Sequence, residues 1–81
     1  MESLSTAFGR AVRKLREDAG VSQERFAYKA GIDRAFMSRI ERGKTNASLT
    51  TIDRVAKALN VSLETLFEAV ERERSRRSPA K

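Results

Sequence analysis

Apolar residues recur along this chain at intervals of three and four, and no stretch alternates with a period of two, so the pattern predicts helices throughout. Phe8, Val12, Leu15 and Ala19 form one stripe, with Ser5 as the expected N-cap and Gly20 as the stop. A second, shorter helix follows a capping Ser22 and carries Phe26, Ala27 and Ala30 up to Gly31. A third spans residues 34–42, capped by Asp33, with Met37 and Ile40 facing inward and Gly43 at its end. Ser48 opens a fourth, whose buried stripe is Leu49, Ile52, Val55, Ala56 and Leu59, and Asn60 suits the left-handed position that closes it. Ser62 opens a fifth with Leu63, Leu66, Phe67 and Val70. The expected fold class is all-α: one compact five-helix domain over residues 1–74, followed by a disordered basic tail, 75–81.

Residues 23–42, QERFAYKAGIDRAFMSRIER, organise the rest. Phe26, Ala30, Ile32, Met37 and Ile40 are spaced to line the inner angle between two helices. Ala27 is small where those helices cross. Gly31 stands where the chain must turn sharply, in a left-handed conformation that costs glycine little. This is the pattern of a helix-turn-helix, in which the second helix is held out to enter a DNA groove. With Met37 and Ile40 turned to the core, Arg34, Ala35, Ser38 and Arg39 fall on the outward face as candidate base readers. Phe36 is grouped with them as a possible contact to thymine methyls, while a core position stays open for it.

Charge strengthens this picture. The chain has 81 residues, 17 Lys and Arg against 11 Asp and Glu, and a net charge of +6, which favours a polyanionic partner, first of all double-stranded DNA. There is neither Cys nor His, so a thiolate metal site, a disulfide framework and the usual general base are all missing. Carboxylates stand beside Arg or Lys at helical spacing and read as surface pairs, and there is no glycine-rich phosphate loop. Catalysis, metal binding, a cofactor and a small-molecule ligand are therefore not expected. The opening MESLSTAFGR lacks the order of a signal peptide, and no apolar run approaches the ~20 residues of a membrane span. The expected location is the cytoplasm, with no membrane partner.

SQERFAYKAGIDRAFMSRIERGKTN and SLTTIDRVAKALNVSLETLF resemble the DNA-binding domain of the phage repressor and Cro family, also called Xre, with its lambda-repressor-like fold. Within it, the short length and AYKAGIDRAFMSRIERG are similar to controller proteins of restriction–modification systems. The resemblance implies phosphate contacts at the start of the second helix, Ser22 and Gln23, where backbone N–H groups bind anions. For Ser22 a role in capping alone stands equally open. It also lays the loop 43–47 along the DNA backbone, with Lys44 and Asn46 as phosphate contacts. Asn46 bonding its own backbone is the alternative there. Finally, it brings together the ends of the first and third helices, so that Arg16 and Glu41 form a buried or half-buried ion pair.

A symmetric homodimer is expected through the fifth helix. If helices one to four close the core with Leu63, then Phe67, Val70 and part of Leu66 are left for a partner. Such a dimer suits a pseudo-palindromic operator, whose half-sites lie ~34 Å apart. The competing class is a protein-interaction module, an antitoxin or adaptor on the same fold, against which the basic outward face of the third helix argues.

Overall fold

In the computed structural model, which describes residues 2–77, each predicted helix forms, and each begins at a side chain that satisfies an otherwise unpaired N–H group. Helix α1 is Leu4–Asp18, α2 Gln23–Ala30, α3 Arg34–Glu41, α4 Leu49–Leu59 and α5 Leu63–Arg77. No strand occurs among the described residues. Ser22, Ser48 and Ser62 accept from the N–H groups of Arg25, Thr51 and Thr65, and the Asp33 carboxylate accepts from Ala35 and Phe36. Each cap of this kind is worth about 1 kcal/mol. At α1 the cap is Ser3, not Ser5: Ser3 has extended backbone and accepts from Thr6 N–H, while Ser5 already lies inside the first turn. Gly31 and Asn60 take the expected left-handed conformation, with φ of 68° and 60°.

Helix α1 is the central strut. It packs along α5 and across α3, while α2 and α4 close the remaining sides. Phe26, Met37, Ile40, Leu66, Val12, Val55 and Val70 are the largest fully buried side chains. The α1–α3 contact is backbone on backbone at Gly9, where an added Cβ would lie 2.2 Å from the Ile40 carbonyl oxygen and 2.7 Å from that of Glu41. Gly43 is constrained twice, by a φ of 71° and by the Cα of Thr6, which a Cβ there would meet at 2.7 Å.

Helix α5 departs from expectation in two ways. First, it continues through Arg77, three residues past the predicted end of the domain at 74. Residues 78–81 of the expected tail lie outside the described residues. Second, Leu66 and Val70 are 0 % exposed, so neither has side-chain surface to offer a partner. The reason is the face that α5 turns to α1. Positions 66, 69, 70 and 73 point inward, which leaves Leu63 on the flank at 46 % exposure. Phe67 is half-buried, its ring 6.1 Å from that of Phe8.

Candidate nucleic-acid interface

Helix α3 presents the predicted face. Arg34, Ala35 and Arg39 are exposed and Ser38 is half-exposed, while Met37 and Ile40 hold the opposite side in the core. The short Ala35 and Ser38 between two arginines leave the helix axis free to approach a groove floor closely. Phe36 settles between its two readings. It is half-buried and packs against the core, so only part of its side chain remains accessible beside the outward group. Arg42, which the sequence pattern did not single out, extends the exposed basic surface to the C-cap of α3, its Nε donating to the Ser38 carbonyl at 3.3 Å.

The four expected phosphate contacts differ in what their side chains are free to do. The hydroxyl oxygen of Ser22 accepts the Arg25 N–H, which leaves its proton available, so capping and anion contact are compatible. The side-chain amide of Gln23 donates to Glu41 Oε1 at 3.1 Å. What Gln23 offers an anion is therefore its backbone N–H in the first turn of α2. Lys44 is exposed and extends from a loop whose backbone N–H donates to the Arg39 carbonyl. Asn46 does not bond its own backbone: its Oδ1 accepts from the Ser5 hydroxyl at 2.9 Å.

Arg16 and Glu41 meet as expected. Arg16 Nε donates to Oε2 at 2.7 Å and Nη2 donates to Oε1 at 3.0 Å, a two-pronged pair in which both residues are buried. Arg16 Nη1 also donates to the Val21 carbonyl at 2.9 Å. The hydrogen bond to Glu41 raises the guanidinium pKa above its ordinary value, outweighing the opposing effect of desolvation. With Gln23 added, this network joins the end of α1, the start of α2 and the end of α3. It thereby fixes the angle at which α3 is presented.

A second ionic network had no signal in the sequence, where Glu73 reads as one charge among many. The buried carboxylate of Glu73 accepts from Arg10 Nε at 2.9 Å and from Arg76 Nη1 at 3.3 Å, and Arg10 also pairs with Glu2. These contacts raise the Arg10 pKa, the hydrogen bond to Glu2 contributing most. Tyr28, 86 % exposed on α2, was likewise not singled out. No group of His, Cys, Asp and Glu that could hold a metal occurs among the described residues, and no helix there is long and apolar enough to cross a membrane.

A short α2 and α3 at a fixed angle, a basic outward α3 and a five-helix body define a helix-turn-helix domain. A helix-turn-helix domain family model matches residues 7–70. The control protein C.MunI of a Mycoplasma species is 38 % identical over 74 residues, which are 90 % of this chain and 100 % of that protein. The crystal structure of the restriction–modification controller protein C.AhdI from Aeromonas hydrophila superposes with a TM-score of 0.74 at 40 % identity, covering 76 % of this chain and 94 % of that one. The controller C.Esp1396I, solved as a tetramer in complex with its natural 35 base-pair operator, gives a TM-score of 0.83 at 32 % identity, covering 90 % and 96 %. The chain belongs to the Xre-type helix-turn-helix family and, within it, is similar to the restriction–modification controllers.

Proposed function

We propose that this chain is a sequence-specific transcriptional regulator that binds a pseudo-palindromic operator as a symmetric dimer, and that it is the control protein of a restriction–modification system. The observation that carries the reading is the outward face of α3. Arg34, Ala35, Ser38 and Arg39 lie exposed on a helix whose opposite side is locked into the core and whose end is held by the Arg16–Glu41 pair. The forked guanidinium of Arg34, at the opening of α3, matches the O6 and N7 acceptors of guanine. Arg39, a little over one turn on, reaches a neighbouring base or its flanking phosphate. Backbone N–H groups at Ser22 and Gln23, and the side chains of Lys44 and Asn46, hold phosphates on either side. The likeness to an operator-bound controller supports the same partner here. The protein acts as a DNA reader and not as an enzyme, in the cytoplasm where its operator lies.

Of the dimer surface expected from the sequence, Phe67 keeps its place while the buried Leu66 and Val70 give way to leucines at helix starts. Leu4, Leu49 and Leu63 are 49 %, 83 % and 46 % exposed, and each is the first residue of a helix. Leu49 and Leu63 line one open cleft together with Ile52 and Phe67. A clustered apolar surface on so small a domain supports a partner of the same kind, and a two-fold contact there places two α3 helices on one duplex.

Binding of Arg34→Ala and Lys44→Ala to specific and scrambled duplexes across a salt series tests the reading. Losing Arg34 is expected to cost about 1–3 kcal/mol on the specific site and to flatten the preference at one base position. Losing Lys44 is expected to weaken both duplexes alike and to reduce the salt slope by about one. Equal losses on both duplexes for Arg34→Ala would refute base reading by α3.

A further inference from the structure

The loop 43–47 is held by the first turn of α1 at both ends. At its start, Gly43 lies so close to Thr6 that no side chain fits between them. Near its end, the Ser5 hydroxyl donates to Asn46 Oδ1 at 2.9 Å, across a sequence separation of 41 residues, and Ala47 packs against the core. Ser5 is not the cap of α1, a role that Ser3 fills, so its hydroxyl is available for this contact.

A carboxamide has one end that attracts a phosphate and one that repels it. Its NH2 group donates two hydrogen bonds, while its oxygen only accepts and faces another acceptor unfavourably. An exposed Asn free to rotate presents both ends to a DNA backbone. With Oδ1 engaged by Ser5, the carboxamide is fixed with its oxygen toward α1 and its Nδ2 on the opposite side. We infer that Ser5 is a positioning residue for DNA binding, which acts through Asn46 by holding the side-chain amide with its donor end toward the phosphate. This inference rests on the reading of Asn46 as a phosphate contact. The gain is the ordering of one side chain before binding, which corresponds to about two- to tenfold in affinity.

The experiment is a double-mutant cycle on the full chain, with Ser5→Ala, Asn46→Ala, the double variant and Ser5→Thr, read by affinity for the specific and scrambled duplexes and by thermal midpoint. Ser5→Ala is expected to weaken both duplexes by a similar factor at an unchanged midpoint. Ser5→Thr, which keeps the hydroxyl, is expected to restore affinity. In the Asn46→Ala background, loss of Ser5 is expected to have no further effect. Because the contact is uncharged, the salt slope stays that of the parent, unlike that of Lys44→Ala. If Asn46→Ala binds like the parent, the phosphate reading of Asn46 falls and this inference falls with it. If Asn46→Ala is weakened but Ser5→Ala is not, or if Ser5→Ala costs as much in the Asn46→Ala background, the positioning role alone is overturned.

Discussion

At the scale of single residues, the presentation of α3 depends on a carboxylate that is buried behind it. Glu41 accepts from Arg16 twice and from Gln23 once, and its side chain is only 3 % exposed. Removing it leaves the buried Arg16 guanidinium with the Val21 carbonyl and, at 4.0 Å, the half-exposed Glu17 carboxylate, and breaking a buried ion pair in this way is costly. Glu41→Ala is expected to lose about 3–5 kcal/mol in urea denaturation. A midpoint equal to the parent's would mean that the two charges act independently. Since the Arg16 pKa is raised, the guanidinium side of the pair keeps its charge through the neutral and mildly alkaline range, and its contribution fades only as pH rises through that elevated value. Gly9 carries a comparable load by having no side chain. Gly9→Ala forces a Cβ onto two carbonyl oxygens of α3, which cannot rotate away, and is expected to destabilise by about 1–3 kcal/mol or more. A melting temperature unchanged by this substitution would contradict the close crossing of α1 and α3.

At the scale of elements, what could be read in the sequence depended on how local each cause is. Ser22, Asp33, Ser48 and Ser62 act within their own first turn, and Gly31 and Asn60 at their own helix ends. Composition and spacing therefore sufficed to place them. The outward face of α3 followed from the inward one by the helical period alone. Glu73 was not legible, because its meaning lies in Arg10 on another helix. Val70 was misplaced because the rotation of α5 about its own axis is set by α1, not by its own pattern of apolar residues. The same contact explains why α5 outruns the predicted domain boundary: a buried carboxylate joined to Arg10 and Arg76 ties its last turns to α1. Glu73→Ala removes a charged hydrogen-bond partner from Arg10, which keeps Glu2, and is expected to cost about 1–3 kcal/mol. Amide hydrogen exchange should then quicken in the last two turns of α5 while α2 and α3 keep their protection. Exchange that is unchanged there would show that α5 holds without the clamp.

At the scale of the whole molecule, the buried and exposed apolar residues of α5 separate folding from association. Val70 and Leu63 are both aliphatic residues of α5, about two turns apart, yet one is fully enclosed and the other is half in solvent. Leu63→Glu is expected to keep the parent circular dichroism and to weaken dimerisation by at least about tenfold in sedimentation equilibrium, as for a well-placed interface side chain. Val70→Glu is expected to unfold the chain. Should Leu63→Glu sediment like the parent at micromolar concentration, the leucine-lined side is not the dimer surface.

The missing side chain at Gly9 has a consequence for how such a reader diversifies. With main chain resting on main chain there, and with Glu41 held by Arg16 and Gln23, the attitude of α3 is set apart from the side chains that it turns outward. The side chains of Arg34, Ala35, Ser38 and Arg39 make no hydrogen bond or ion pair among the described residues, so each can be exchanged as letters are exchanged in a fixed type frame. On the proposed reading of α3 as the base-reading helix, changes at these four positions alter operator preference while leaving the presentation of the helix as it is.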